Sequence, residues 1–407
     1  MKYIGFRCVA IVIIVSSTLL GLPDQPACAV VSETLKLIPN DSAAGDNFGN
    51  SVAVSGGRAI VGSPGNGAVG AAYLFDATTG LQLFKLLPDN LATVSHFGGS
   101  VAASGGIALV NATAIDGTGR VYVFDITNGS QLGILSADDA APGDGFGRSL
   151  AIHGTTALIG APLDDNGFDN AGSAYLFDTV TGSQLKKFVA ALPAEDDRLG
   201  DSVAFDGGFA VISALTATDS PDFLLFDPST GNQVARVDGT DSSTTGSSLA
   251  TSGDRVLMGS PSIFNAAIAG LFDISDVNNI ITTPLPWPGD SLQGHFFGDS
   301  VALNDQFALL STWFSGLGDT GIVYLFDPDS GAVLDSFRPS GTPTDDRFGD
   351  AIGLFGQTLI VGAPGQGLAD AGAAYLFTIP EPASLAVCLV LGPAVLKRGT
   401  RRSSVAH

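Results

Sequence analysis

The 407-residue sequence predicts an all-β fold, a seven-bladed β-propeller whose last blade is completed by the N-terminal strand. Three observations carry that reading. A unit of about fifty residues returns seven times; each copy offers four short apolar runs separated by turn residues; and the last copy lacks its fourth run, which an orphan segment near the start supplies.

The repeat marker is a Phe-Gly pair followed by a small, β-prone triplet. It falls at Phe48-Gly49, Phe97-Gly98, Phe146-Gly147, Leu199-Gly200, Thr245-Gly246, Phe297-Gly298 and Phe348-Gly349. In the first copy the four runs read "SVAVS", "RAIVGSP", "AAYLFD" and "LQLFKLLP". Strands this short cannot bury both faces alone, so the sheets must stack around an axis. The first run of each copy is rich in Ser, Val and Ala, which suits the crowded centre, and the fourth carries Leu, Phe and long polar residues, which suits the rim. The seventh copy stops after its third run, at Phe377, and the segment "ETLKLIP" from Glu33 to Pro39 has the fourth-run pattern with no sheet of its own. Pairing the two closes the ring and leaves no open edge strand.

Composition agrees. Gly accounts for 53 residues, nearly double its usual share of about 7%, and charged residues for only 14%. Residues 1–29 have the parts of a secretory signal peptide: Lys2 and Arg7, the apolar run Val9 to Leu20, then Ala27-Cys28-Ala29. Lipidation at Cys28 is the rival reading, but Gln25 stands where an apolar residue is expected. Without that segment Cys388 is the only cysteine, so no intramolecular disulfide forms and stability rests on packing. Residues 30–379 hold 38 acidic and 12 basic side chains, a net charge of about −26 that repels phosphate backbones and excludes nucleic acid as a partner.

With those elements in place, the chain resembles the FG-GAP repeats of integrin-type propellers. The matching residues are the Phe-Gly pairs, Gly62-Ser63-Pro64, Gly160-Ala161-Pro162, Gly259-Ser260-Pro261, Gly362-Ala363-Pro364, and endings such as Ala174 to Phe177. The likeness spans 33–379 and implies the propeller. Blades two, four and six lack the Gly-Ala/Ser-Pro element, and blade five has Thr245-Gly246 for Phe-Gly. Family members that bind calcium do so in an aspartate-rich hairpin between the first two strands. Here those hairpins read "SGGR", "SGGI", "HGTT", "DGGF", "SGDR", "NDQF" and "FGQT", too short and too poor in carboxylates to wrap an ion.

The tail, residues 380–407, is similar to a PEP-CTERM sorting signal: Pro380-Glu381-Pro382, fourteen uncharged residues from Ala383 to Leu396, then Lys397, Arg398, Arg401 and Arg402. The resemblance implies an exosortase-type protease as partner, and an exported protein associated with the membrane through its tail at least transiently. The basic cluster is a positive-inside stop. The apolar run spans only about 21 Å as a helix, short of a hydrocarbon core of about 30 Å.

Aspartates are the most frequent polar candidates, and most have a turn-building role. Asp76, Asp125, Asp178, Asp227 and Asp327 each stand four residues before a Gly, the pattern of a turn in which carboxylate accepts backbone N–H groups. Asp46, Asp144, Asp197 and Asp346, two places before a Phe-Gly position, read as caps of the inter-blade link. Because strands alternate in direction, those links share one face, the upper face, with the loops between second and third strands. That face also holds the loop "LDDNGFDNAG", in which Asp164, Asp165, Asn166 and Asp169 are candidate calcium ligands, against the alternative of a solvated turn-rich loop. Trp287, Trp313 and Phe314 flank blade six on the same face, either as a sugar-stacking platform or as packing. No paired-histidine spacing, nucleophile elbow or phosphate loop occurs. The sequence thus points to an exported, non-catalytic protein of the cell envelope or matrix that binds polysaccharide or a surface protein. The alternatives are a polysaccharide-degrading hydrolase or lyase and a purely structural surface protein.

Overall fold

A computed structural model describes residues 31–114, 116–215, 221–238, 248–259, 269–285, 297–312, 321–339, 346–367 and 369–381. These form seven antiparallel sheets, at residues 51–86, 101–135, 150–188, 203–237, 248–285, 301–337 and 352–378, with one short 3-10 turn, Leu91–Thr93, as the only helical element among them. Each sheet has four strands, in chain order except in blade seven, whose outer strand is the N-terminal one, and blade two gains a fifth piece where Val94–Ser95 pairs with the end of Ile107–Ala114.

The innermost strands touch their neighbours around the whole ring, from Ser51–Ser55 in blade one to Ile352–Phe355 in blade seven and back. Small residues permit this approach: across the closing seam a Cβ on Gly353 would lie 3.3 Å from the Cα of Ala53. Closure uses the strand the sequence left unpaired. Ser32–Leu37 runs antiparallel to Ala373–Thr378, with Leu35 opposite Leu376 and Lys36 opposite Tyr375.

The hydrophobic core is divided into seven clusters, and each lies between two blades rather than within one. The Phe of the Phe-Gly pair enters the cluster edge-on. Phe48 meets Tyr73 and Phe75 at ring-centroid distances of 5.6 and 5.8 Å, and blades two, three, six and seven repeat the arrangement. Each such pair adds about 1 kcal/mol beyond the area it buries. Blade four lost its Phe (Leu199), and a Leu, Leu224, replaces Tyr at the matching strand position; the aromatic mass there shifts to Phe223, packed on Phe272 of blade five.

Glycine is required where the Phe-Gly pair crosses a seam. Gly49 has φ +97°, and a Cβ there would lie 2.3 Å from the Ala373 carbonyl of blade seven. The Gly-Ala/Ser-Pro element faces it: a Cβ on Gly62 would sit 2.0 Å from the Gly98 carbonyl, one on Gly160 2.0 Å from Gly200, and one on Gly362 1.9 Å from Gly49. The two halves of the repeat therefore meet across neighbouring blades, backbone against backbone, where no side chain fits.

Candidate functional site

The upper face is built by the inter-blade links and the loops between second and third strands, which contact one another as strand parity requires: Asn66 Nδ2 donates to Asp46 Oδ2 at 2.9 Å. The link aspartates cap their own turns. Ala43, Ala141 and Ala194 N–H groups donate to Asp46, Asp144 and Asp197 at 2.8, 2.7 and 2.7 Å, and all four link aspartates, Asp346 included, are buried. Burial pushes the carboxyls of Asp144 and Asp197 above their usual range.

Above these caps, blades one, three and seven repeat a rim cluster in which a lysine of the outer strand lies over the ring of a third-strand tyrosine. Lys85, Lys187 and Lys36 sit 5.4, 5.3 and 5.5 Å from the ring centres of Tyr73, Tyr175 and Tyr375. Lys85 Nζ donates to Asp41 at 2.6 Å and to Asn66 at 2.7 Å, while the Tyr73 hydroxyl donates to Asp41 at 2.9 Å. In blade three Lys187 bridges Asp139 and Asp164 at 2.7 and 2.8 Å, and the Tyr175 hydroxyl donates to both carboxylates. Burial, then the Asp164 hydrogen bond, drives the Tyr175 hydroxyl far above its usual range, and burial pushes Tyr375 up to about 12. Burial disfavours the charge of Asp164, yet the bonds from Lys187 and Tyr175 prevail and hold its carboxyl below the usual value.

This places the first of the four candidate calcium ligands: Asp164 already holds an ammonium. Its neighbours turn to the loop's own backbone, Asp165 accepting from Asn170 N–H at 2.8 Å and Asn166 donating to the Gly172 carbonyl at 3.1 Å. The Asp169 carbonyl accepts from Asp196 N–H at 2.9 Å. Among the described residues no three or more His, Cys, Asp or Glu side chains are grouped so as to hold a metal. Trp287, Trp313 and Phe314 lie outside the described residues, as do the signal segment, Pro382, Lys397, Arg398, Arg401 and Arg402. Pro380 and Glu381 are described and follow the last strand, and the Glu381 carboxylate accepts from Gln357.

The five turn aspartates behave as read. Each accepts an N–H two residues on, for example Thr78 to Asp76 at 3.0 Å and Val180 to Asp178 at 2.8 Å. Those bonds hold their carboxyls below the usual range.

Nearer the axis, a cavity of about 570 Å³ opens on the upper face across blades one to four. Asn50, His96, Asn111, Thr113, Arg148, Arg198 and Asp201 supply its polar lining, and Pro64, Pro162 and Leu163 part of its apolar wall. A second hollow of about 310 Å³ adjoins it and shares Pro64 and His96. None of these polar residues stood out in the sequence. The signal available was position: Asn47, His96, Arg198 and Arg347 each immediately precede a Phe-Gly position and take positive φ of 51°, 53°, 46° and 54°.

Comparison with known proteins bears on the repeats. The FG-GAP repeat matches residues 31–75, 130–177 and 336–377. The three matched FG-GAP segments each begin in the fourth strand of one blade and end in the third strand of the next, so they cover blades one, three and seven. These are the blades that keep both the Phe-Gly pair and the Gly-Ala/Ser-Pro element. The crystal structure of BamB from Moraxella catarrhalis is similar at 14% identity, covering 86% of this chain and 100% of its own, with a TM-score of 0.47. No curated protein matches.

Proposed function

We propose that this chain is an exported, non-catalytic propeller of the cell envelope or extracellular matrix that binds polysaccharide or a surface protein through its upper face. The observation that carries the proposal is the position of the chain ends. Ser32 lies opposite Thr378, so both ends of the ring emerge on the lower face, and Glu381 packs beside Gln357 of a lower-face hairpin. A tail sorted through Pro380-Glu381-Pro382 and its basic cluster by an exosortase-type protease would hold the lower face toward the membrane and turn the opposite, concave face outward. The sequence also supplies Trp287, Trp313 and Phe314, whose aromatic rings are of the kind that stacks on sugars. Calcium in the loop of Asp164, Asp165, Asn166 and Asp169 would have to displace Lys187, so binding is expected to be independent of calcium.

The test is a glycan and matrix-protein array probed with the full chain, with and without calcium. Retention of one glycan or protein class, weakened in Trp313→Ala, is the expected result. New reducing ends or unsaturated products from an incubated polymer would favour the degrading-enzyme reading instead, and binding to nothing would favour a purely structural protein.

A further inference from the structure

The cavity across blades one to four differs from the rest of the molecule in its charge. Of the 12 basic residues between positions 30 and 379, most are paired with the abundant carboxylates, as in Arg58 with Asp76, Lys85 with Asp41, and Arg236 with Asp222. Arg198 is not: its side chain is exposed and makes no hydrogen bond or ion pair among the described residues. Among the described residues Arg148, also exposed, has only Asp201 at 3.5 Å, and the His96 ring has one hydrogen-bond contact, with the Ser95 hydroxyl at 3.2 Å. The charged or titratable groups lining the cavity are thus His96, Arg148, Arg198 and Asp201.

Backbone conformation adds a second, independent observation. In the five blades where it is described, the position before the Phe-Gly pair is left-handed, which Gly145 of blade three adopts without strain and Asn47 of blade one with little. Blades two, four and seven place His96, Arg198 and Arg347 there instead, at φ +53°, +46° and +54°; Arg347 turns its guanidinium to Asp350 at 2.7 Å, whereas His96 and Arg198 line the cavity. Fold alone would be served better by Gly or Asn, so strained side chains facing a cavity indicate a role for the side chains themselves.

We propose that this groove seats a carboxylate-bearing polysaccharide, with the Arg198 and Arg148 guanidinium groups gripping uronate carboxylates and Asn50, Asn111 and Thr113 bonding its hydroxyls. The proposal rests on the reading of the upper face as a binding face and names its ligand. Planar guanidinium groups recognise carboxylates bidentately. A neutral glycan is held chiefly by exposed aromatic faces, and the described lining has none, since Phe146 is buried. A protein partner would want an apolar anchor pocket, and Leu163 is the one large aliphatic side chain in the lining. The adjoining hollow across His96 extends the groove toward blade one, which suits a chain of sugars over a single one. The net charge of the body opposes an anion only over about a Debye length, about 8 Å at physiological salt, whereas the guanidinium contacts act at hydrogen-bond distance.

Titration of the full chain with polygalacturonate, with the uncharged methyl-esterified polymer, and with polyglutamate tests this. Expected are binding to polygalacturonate alone and at least a tenfold loss in Arg198→Ala and in Arg148→Ala, with Arg255→Ala on the lower face unchanged. Arg198→Gly guards against a folding artefact: it relieves the left-handed strain, so its melting temperature should equal or exceed the parent's while polygalacturonate binding is lost. Equal affinity for the esterified polymer, equal affinity for polyglutamate, or undiminished binding in the arginine variants would each overturn the proposal. Binding to neutral glycans with none to polygalacturonate would overturn it while leaving the broader reading of the face intact.

Discussion

Odd-numbered and even-numbered blades solve the same packing problem differently. In both, the Gly of the Phe-Gly position donates its N–H to a second-strand carbonyl of its own blade: Gly49 to Gly62 at 3.0 Å in blade one, Gly98 to Asn111 at 3.0 Å in blade two. In odd blades the second-strand residue is Gly, and in blades one, three and five a serine at the start of the first strand donates across the seam: Ser51 to the Gly98 carbonyl at 2.9 Å, Ser149 to Gly200 at 2.8 Å, Ser248 to Gly298 at 2.6 Å; blade seven has Ala351 there. In even blades that Gly is Asn111, Ser213 or Ser311, whose side chain instead accepts an N–H within the blade, at 2.7, 2.8 and 3.2 Å. The even-blade serines Ser202 and Ser300 then accept across the seam, from Leu249 and Ile352 N–H groups, both at 3.1 Å. Donor and acceptor are thus exchanged at alternate seams. Because seven is odd the alternation must fail once, and it fails between blades seven and one, where Gly362 faces Gly49 and the chain ends meet.

The difference teaches that the repeat recognised in sequence is a seam, not a blade. Three consequences can break or sharpen it. The largest effect is expected from Gly160→Ala, which drives a methyl to 2.0 Å from the Gly200 carbonyl oxygen and 2.4 Å from the Ser149 hydroxyl that bonds it. It should cost about 3 kcal/mol or more in denaturant unfolding, and a cost below about 1 kcal/mol would show that odd seams have room to adapt. Ser149→Ala removes one seam hydrogen bond and should cost about 1 kcal/mol; no loss would make the donor–acceptor exchange incidental. The smallest effect sharpens the contrast by its sameness, since the turns do not alternate. Asp178→Ala in blade three and Asp227→Ala in blade four should lower the melting temperature equally at neutral pH. Both carboxyls are held below the unfolded value of 3.8, so their contribution is complete above that value and disappears as pH falls through the folded one; the parent and variant melting curves should converge in acid. A gap that persisted there would assign the loss to something other than the carboxylate.

How much of this could be read from the chain depended on distance along it. The seven copies, their four strands and the N-terminal completion of blade seven were legible because each leaves a local pattern, such as "AAYLF" without a following fourth run. The loss of Gly-Ala/Ser-Pro in blades two, four and six was equally visible, but its reason was not. Asn111 answers to Gly147 of the next blade, and a single sequence does not show which backbone lies against it. The density of oxygen ligands at Asp164 was legible too, whereas Lys187, the cation that fills it, lies 23 residues away in the outer strand. Its signal was the recurrence of Lys36, Lys85 and Lys187 in the fourth runs. Arg198 escaped notice because the left-handed turn position that presents it is cheapest for other residue types.

The placement of every cluster of apolar side chains between blades also sets a timetable. No sector can become stable before its neighbour arrives, and the last gap waits for Ala373–Thr378 to find a strand made about 340 residues earlier. Joining segments that far apart costs about 5 kcal/mol of chain entropy beyond the constant term, refunded only when both flanking seams lock together. Maturation of this ring should therefore be late, slow and all-or-none: until Ala373–Thr378 pairs with Ser32–Leu37, the molecule is an arc with two sticky ends.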